Sequence, residues 1–210
     1  MNARLLYVMD PMCSWCWGFA PVLEALAGQA AEAGVPLHLV VGGLRHERLA
    51  LDPAGRVRIL SHWQAVNATT GQLFDFEAGM PEGFVYDTEP ACRALVAVRA
   101  LDPAKVWPLA VALQTAFYRE GRDPSQVRVL LDLAEAVGVP RMTFAKAFDS
   151  TAIHEATQAD FAWTQGLGIA GFPTLLAERD GQLALLTNGY RPLEELVPLL
   201  ARWLERGVHD

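Results

Sequence analysis

The sequence predicts an α/β fold: a β-α-β unit at the start and a β-β-α unit at the end, bracketing a long helical block. Three observations carry that prediction. The unbroken apolar run Leu5-Leu6-Tyr7-Val8-Met9 has the length and character of a strand buried on both faces. Apolar residues at helical spacing follow it, and then a second apolar run, Leu37-His38-Leu39-Val40-Val41. Strand signals all but vanish between residue 44 and about residue 167, and return as two runs joined by Asp180-Gly181.

Taken in order, the first strand leads into Asp10-Pro11-Met12-Cys13-Ser14-Trp15-Cys16-Trp17-Gly18-Phe19. A helix is expected from about residue 13 to residue 33, with Gly34 as its stop and Pro21 kinking it early. Pro36 opens the second strand, which ends at Gly42-Gly43. Strand, helix and strand in that order make a right-handed unit with parallel strands. Asp52-Pro53 caps the next helix, through Ile59 and Trp63, and the polar stretch Asn67-Ala68-Thr69-Thr70-Gly71-Gln72 follows it. Residues 73–86, rich in glycine and aromatics, read as loop. Thr88-Glu89-Pro90, Asp102-Pro103 and Asp123-Pro124 each open a helix, because a polar N-cap followed by proline is a start signal. Pro140 and Ser150 bound the last helices of the block. Phe172-Pro173-Thr174-Leu175-Leu176-Ala177 is a strand, Asp180-Gly181 a hairpin turn, and Leu183-Ala184-Leu185-Leu186-Thr187 its partner. Asn188-Gly189 turns the chain into a final helix over residues 193–204. This is the thioredoxin fold with a large helical insertion. Residues 1–44 and 168–210 form the thioredoxin-like domain, and residues 45–167 the insert.

With 52% hydrophobic and 20% charged residues, the 210-residue chain can bury a sizeable core. A net charge of -7 argues against nucleic acid or an anionic membrane surface as the main partner. No apolar run is long enough to span a bilayer. Met1-Asn2-Ala3-Arg4 runs directly into the first strand without the regions of a signal peptide, so the expected location is the cytoplasm. There structural disulfides are rare, and a cysteine pair points to catalysis or metal binding.

Two of the three cysteines, Cys13 and Cys16, form a C-x-x-C at the strand-to-helix junction. The first N–H groups of a helix lack internal partners and carry partial positive charge, which favours a thiolate at Cys13. Cys16, about one turn on, lies on the same helix face. It can attack a mixed disulfide on Cys13 and release the partner. Cys13 is therefore the candidate nucleophile and Cys16 the candidate resolving thiol. A tetrahedral metal site needs four ligands, whereas only Cys92 remains and the histidines are scattered, so no metal is expected.

Cys13-Ser14-Trp15-Cys16-Trp17-Gly18-Phe19, with Gly168-Ile169-Ala170-Gly171-Phe172-Pro173-Thr174 much later, resembles the DsbA family of thiol-disulfide oxidoreductases. Within it the chain is most similar to the cytoplasmic FrnE-like branch. Asn67-Ala68-Thr69-Thr70-Gly71-Gln72, Asp87-Thr88-Glu89-Pro90-Ala91-Cys92-Arg93-Ala94 and Gly189-Tyr190 also resemble that branch. The resemblance implies disulfide exchange with protein thiols or glutathione as co-substrate, and no metal or organic cofactor. It implies a cis Phe172-Pro173 peptide facing the cysteines, with the Phe172 backbone free to pair with an extended substrate. It also implies a buried carboxylate near the resolving cysteine. No position for that carboxylate follows from the sequence; Glu24 is nearby but reads as a solvated surface residue.

Of the remaining residues, Trp15 sits between the cysteines and is expected to meet substrate, while Phe19 packs inward. Ser14 is a candidate hydrogen-bond donor to the thiolate. Cys92, on an apolar helix face, reads as a buried inert thiol. His38 reads as a satisfied strand histidine, His46 as part of a solvated charge cluster, and His62 as the histidine to inspect for proximity to the site. Two rival readings stand beside exchange chemistry. One is a glutathione-dependent isomerase or transferase, similar to the kappa-class transferases, which usually carry Ser in place of Cys13. The other is a non-enzymatic scaffold that binds partners through the insert.

Overall fold

The computed structural model describes residues 3–205. It opens with β1 (Ala3–Met9), whose residues Leu5, Leu6, Tyr7, Val8 and Met9 are all buried. The helix α1 (Ser14–Glu32) follows, with Cys13 as its N-cap and Pro21 inside it. It stops where Gly34 takes a left-handed φ of 75° and Val35 N–H donates back to the Ala30 carbonyl, at 2.9 Å. β2 (Leu37–Val41) then runs parallel to β1, with Tyr7 opposite Leu39.

The next element corrects the expectation of a strand-free block. β3 (His46–Ala50) is a strand, and after α2 (Pro53–Thr70) it pairs antiparallel with β4 (Val85–Asp87). Every residue of β3 is exposed, so it shows no alternation of apolar and polar positions, and β4 is only three residues long. Neither carries the periodicity by which strands are recognised. The residues 67–70, which their polarity places after the helix, form the last turn of α2 before Gly71 ends it. As expected, Asp52 caps that helix by accepting from Gly55 N–H at 2.6 Å.

α3 (Glu89–Leu101) begins after Thr88. A short 3-10 turn over Pro103–Lys105, capped by Asp102, then leads into α4 (Val106–Glu120). α5 (Val127–Ala136) starts later than Asp123-Pro124 suggests, because the Asp123 carboxylate accepts from Ser125 N–H at 2.8 Å. That closes a turn rather than a helix. α6 (Arg141–Phe148) and α7 (Thr151–Gly166, capped by Ser150) complete the block.

β5 (Thr174–Arg179) begins two residues beyond the expected start and runs antiparallel to β1. Asp180 and Gly181, with φ of 49° and 81°, turn it into β6 (Gln182–Asn188), and α8 (Leu193–Glu205) closes the described chain. The sheet order is β2-β1-β5-β6, the expected β-α-β plus β-β-α arrangement. β1 is central because its apolar residues alternate onto both faces of the sheet.

Two apolar clusters anchor the motif. Cys13, Cys16 and Phe19 belong to the larger one, with the sheet, α3, α4 and α8. Met12 and Trp17 belong to the second, with Trp63, Phe84, Tyr86, Phe117 and Tyr118. Trp63 is fully buried there, and truncation of such a side chain typically costs about 3–5 kcal/mol. At the β2 edge, Arg99 of α3 and Asp160 of α7 pair at 2.7 and 3.0 Å. Arg99 donates to the Leu39 carbonyl at 2.6 Å and Asp160 accepts from Val41 N–H at 3.0 Å. The ion pair thereby occupies backbone groups that an open sheet edge would leave free.

Candidate active site

The site grows from the end of β1. The Asp10 carbonyl accepts from Cys13 N–H at 3.1 Å, so residues 10–13 form a tight turn that places Cys13 at the helix start. Cys13 is buried with 7% of its surface exposed, and its Sγ lies 3.6 Å from the Phe172 carbonyl oxygen. Cys16, one turn into α1, is fully buried. Both are free thiols, as is the fully buried Cys92. Burial pushes the Cys16 thiol well up; hydrogen bonding to Cys13 and the Asp10 charge push in the same direction.

The Phe172–Pro173 peptide is cis. Phe172 is half-buried and Pro173 buried; the Pro173 carbonyl accepts from Gly189 N–H at 2.7 Å. The Phe172 ring lies over Gly42, where a Cβ would come within 2.0 Å of it. The structure thus brings Cys13, Cys16, Phe172 and Pro173 together from sequence positions about 160 apart. Ser14 and Trp15 are half-buried at the start of α1, and the Trp15 ring lies 6.1 Å from that of Tyr190. Phe19 is fully buried. Trp17 also packs inward, stacked on Tyr118, with its indole N–H donating to the Leu73 carbonyl at 3.0 Å. Gln72 donates to the Trp17 carbonyl at 3.0 Å, so the polar stretch after α2 holds the motif helix from outside.

A carboxylate does lie buried beside the motif, and it is Asp10. Its Oδ1 accepts from Met12 N–H at 2.8 Å. Its Oδ2 accepts from Leu44 N–H at 2.7 Å, Thr88 Oγ1 at 2.6 Å and Cys92 Sγ at 3.4 Å. Burial nonetheless holds its carboxyl above the ordinary 3.8. The sequence signal was present: Asp10 is the only charged residue between Arg4 and Glu24, set between an apolar strand and the cysteines. Glu24 is exposed, as expected. The sequence pattern marks Tyr7 only as a strand residue, yet its fully buried hydroxyl lies beside Cys16.

The histidines weighed from the sequence lie on the surface or on β2, and none hydrogen-bonds to the cysteines. His62 is exposed on α2; His46 is exposed, 3.8 Å from Asp87; His38 is half-buried on β2. Among the described residues, no group of three His, Cys, Asp or Glu side chains is placed to hold a metal ion. Nor is any helix there long and apolar enough to cross a membrane.

This geometry can be set against known proteins. Residues 4–201 match the family described as the DSBA-like thioredoxin domain. Among solved structures, a candidate protein disulfide isomerase from Nitrosomonas europaea is 43% identical, with TM-score 0.92 and 100% of each chain covered. The cytosolic disulfide reductase DsbM from Pseudomonas aeruginosa is 30% identical, with TM-score 0.79, 97% of this chain and 99% of that chain covered. Its structure with GSH matches at 26% identity and TM-score 0.75, covering 99% and 100%. Among curated protein sequences there was no match. With a family match over nearly its whole length and the fold to go with it, the chain belongs to the DSBA-like thioredoxin domain family and is an oxidoreductase of that family.

Proposed function

We propose that the protein exchanges disulfides with protein thiols or glutathione in the cytoplasm, with Cys13 as nucleophile and Cys16 as resolving thiol. The observation that carries this reading is the position of the two sulfurs. Cys13 caps the motif helix with its thiol against the Phe172 carbonyl, and Cys16 sits fully buried one turn behind it. The Cys13 thiolate attacks one sulfur of a substrate disulfide. A Cys13–substrate disulfide forms and the other substrate sulfur leaves as thiolate. Cys16 then attacks the Cys13 sulfur and expels the second substrate sulfur, which takes up the proton that Cys16 gives up. Two electrons pass to the substrate, and a Cys13–Cys16 disulfide remains for reduction by two thiols.

Phe172 and Pro173 shape the groove beside Cys13, Trp15 offers an aromatic surface to the arriving segment, and Ser14 donates toward the thiolate. Residues 45–167 act as an insert that closes over the redox domain. The reaction as written needs no metal or organic cofactor. A neighbour named a cytosolic disulfide reductase, with a structure containing GSH, supports the location and the small-thiol partner.

The test is equilibration of the pure protein in glutathione buffers, read by mass spectrometry of alkylated cysteines. A Cys13–Cys16 disulfide forming at a defined poise supports the reading. A potential near about -270 mV marks a reductant and one near about -120 mV an oxidant. Full exchange activity in Cys13→Ser sinks it, and glutathione-dependent turnover of an electrophile by Cys16→Ala favours the transferase reading instead.

A further inference from the structure

The resolving step has an unmet requirement. Cys16 must become a thiolate to attack, yet burial, Cys13 and the Asp10 charge all oppose its ionisation. The groups that bear on Cys16 are Cys13 on its own helix, Tyr7 and Asp10 from β1, and Tyr118 from α4.

Asp10 is poorly placed to take the proton. A carboxylate offers about four lone-pair sites. Leu44 N–H, Thr88 Oγ1 and Cys92 Sγ crowd onto Oδ2 and Met12 N–H holds Oδ1, so the carboxylate is committed to the loop and to α3. Tyr7 is in the opposite condition. Its hydroxyl is fully buried and, among the described residues, meets no oxygen or nitrogen in hydrogen-bond geometry in the dithiol state; the polar neighbour that bears on it is the Cys16 thiol. The ring is fixed, stacked on Phe19 at 6.0 Å and met edge-on by Trp107 at 6.3 Å. The hydroxyl lies beside the Cys16 sulfur, and that neighbour, after burial, pushes it further toward the protonated form. A buried O–H with no partner is costly to keep, which makes a neighbour that becomes an acceptor during the reaction its natural use.

We propose that the Tyr7 hydroxyl donates a hydrogen bond to the Cys16 sulfur as that sulfur becomes a thiolate, and so drives its attack on a Cys13 mixed disulfide. This rests on the exchange reading above. The phenol keeps its proton throughout. The Cys16 proton goes to the departing thiolate, the Cys13–partner S–S bond breaks and the Cys13–Cys16 S–S bond forms, so atoms and electrons balance. β1 thus supplies a neutral donor to the resolving sulfur, and the nearby carboxylate is left to hold the loop.

The experiment uses an aromatic disulfide, dithiobis(nitrobenzoate), as the probe. Attack by Cys13 releases one coloured thiolate; resolution by Cys16 releases a second. In Tyr7→Phe the first phase keeps its rate. The second slows on the order of ten- to a hundred-fold, the loss expected for a hydrogen bond to a charged group, and its pH midpoint moves up. Thermal stability is retained or rises, because an unpartnered buried hydroxyl has gone. Thr164→Val, which removes another buried hydroxyl without a hydrogen-bond partner, leaves both phases unchanged. If Tyr7→Phe does not fold, fluorotyrosine at position 7, a stronger donor, decides: a faster second phase supports the proposal and an unchanged one overturns it. A second phase in folded Tyr7→Phe with wild-type rate and pH midpoint overturns the proposal alone. A wild-type protein that never shows a second phase overturns the exchange reading and this proposal with it.

Discussion

The Thr88 hydroxyl donates to Asp10 Oδ2 at 2.6 Å, joining the strand that ends at the redox motif to the residue that opens α3. Both residues are fully buried. Thr88 stands at the N-cap of α3 but makes no side-chain cap, because its hydroxyl serves Asp10 instead. The Arg45 N–H also reaches Thr88 Oγ1, at 3.3 Å, and the Thr88 N–H donates to the Arg45 carbonyl at 3.0 Å. One side chain therefore ties the motif loop, the β3–β4 ribbon and the inserted helices together.

Thr88→Val tests that tie. It leaves a lone pair of a buried carboxylate unmet, at a cost of about 1–3 kcal/mol. The pH dependence has a definite sign. Burial raises the Asp10 carboxyl above 3.8, so the stability linked to its protonation is full below that value and is lost as pH rises through the folded-state value. Thr88 is one of the contacts that lower it, so without Thr88 that loss extends to higher pH. Denaturant titrations between about pH 4 and 7 should show the gap between variant and wild type widening as pH rises. A gap independent of pH would sink this account.

Gly42→Ala probes the placement of Phe172. A methyl group at residue 42 would sit 2.0 Å from the ring, so the ring must swing away and take its neighbourhood with it. The Phe172 carbonyl is the atom that meets Cys13 Sγ. Disulfide exchange should slow roughly ten- to a hundred-fold while circular dichroism stays native. Wild-type exchange in the folded variant would show that this placement is dispensable.

Arg99→Leu removes one partner of the pair that seals the β2 edge. Asp160 is then left mostly buried and uncompensated, and the backbone groups of Leu39 and Val41 lose their organised cover. The expected loss is about 2–4 kcal/mol in denaturant unfolding. Cys13 alkylation kinetics should be unaltered, since the hydrogen bonds of the pair run to each other, Leu39 and Val41 and not to Cys13 or Cys16; a changed rate would contradict that separation.

Cys92→Ala should leave disulfide exchange intact and cost about 1 kcal/mol, the price of one weak donor to Asp10. In oxidised wild-type protein, peptide mapping should find Cys92 alone and unpaired. A disulfide from Cys92 to Cys13 or Cys16 would overturn the inert role given to this thiol.

Much of this was legible in the chain itself. The run from Leu5 to Met9 is too short for a buried helix and is closed by Asp10-Pro11, which leaves a strand buried on both faces. Asp52, Asp102 and Ser150 announced helix starts through chemistry that depends on residues within one turn. The β3–β4 ribbon was hidden, because an exposed charged strand paired with a three-residue one has no pattern of its own. The late start of α5 was hidden too, since the same Asp-Pro signal serves a helix or a turn.

What the sequence determined by itself was the order of the elements that build the four-stranded sheet and the C-x-x-C spacing that sets Cys13 and Cys16 one helical turn apart. Both follow from interactions between residues a few positions apart. Only the tertiary structure decided what surrounds those sulfurs. Phe172 reaches Cys13 across 159 positions, and Thr88 reaches Asp10 across 78. Tyr7 meets Cys16 because a strand face and a helix face pack together. Local propensity cannot specify such contacts; they form as the apolar faces of β1 and α1 are buried together and Met12, Leu44, Thr88 and Cys92 close around the Asp10 carboxylate.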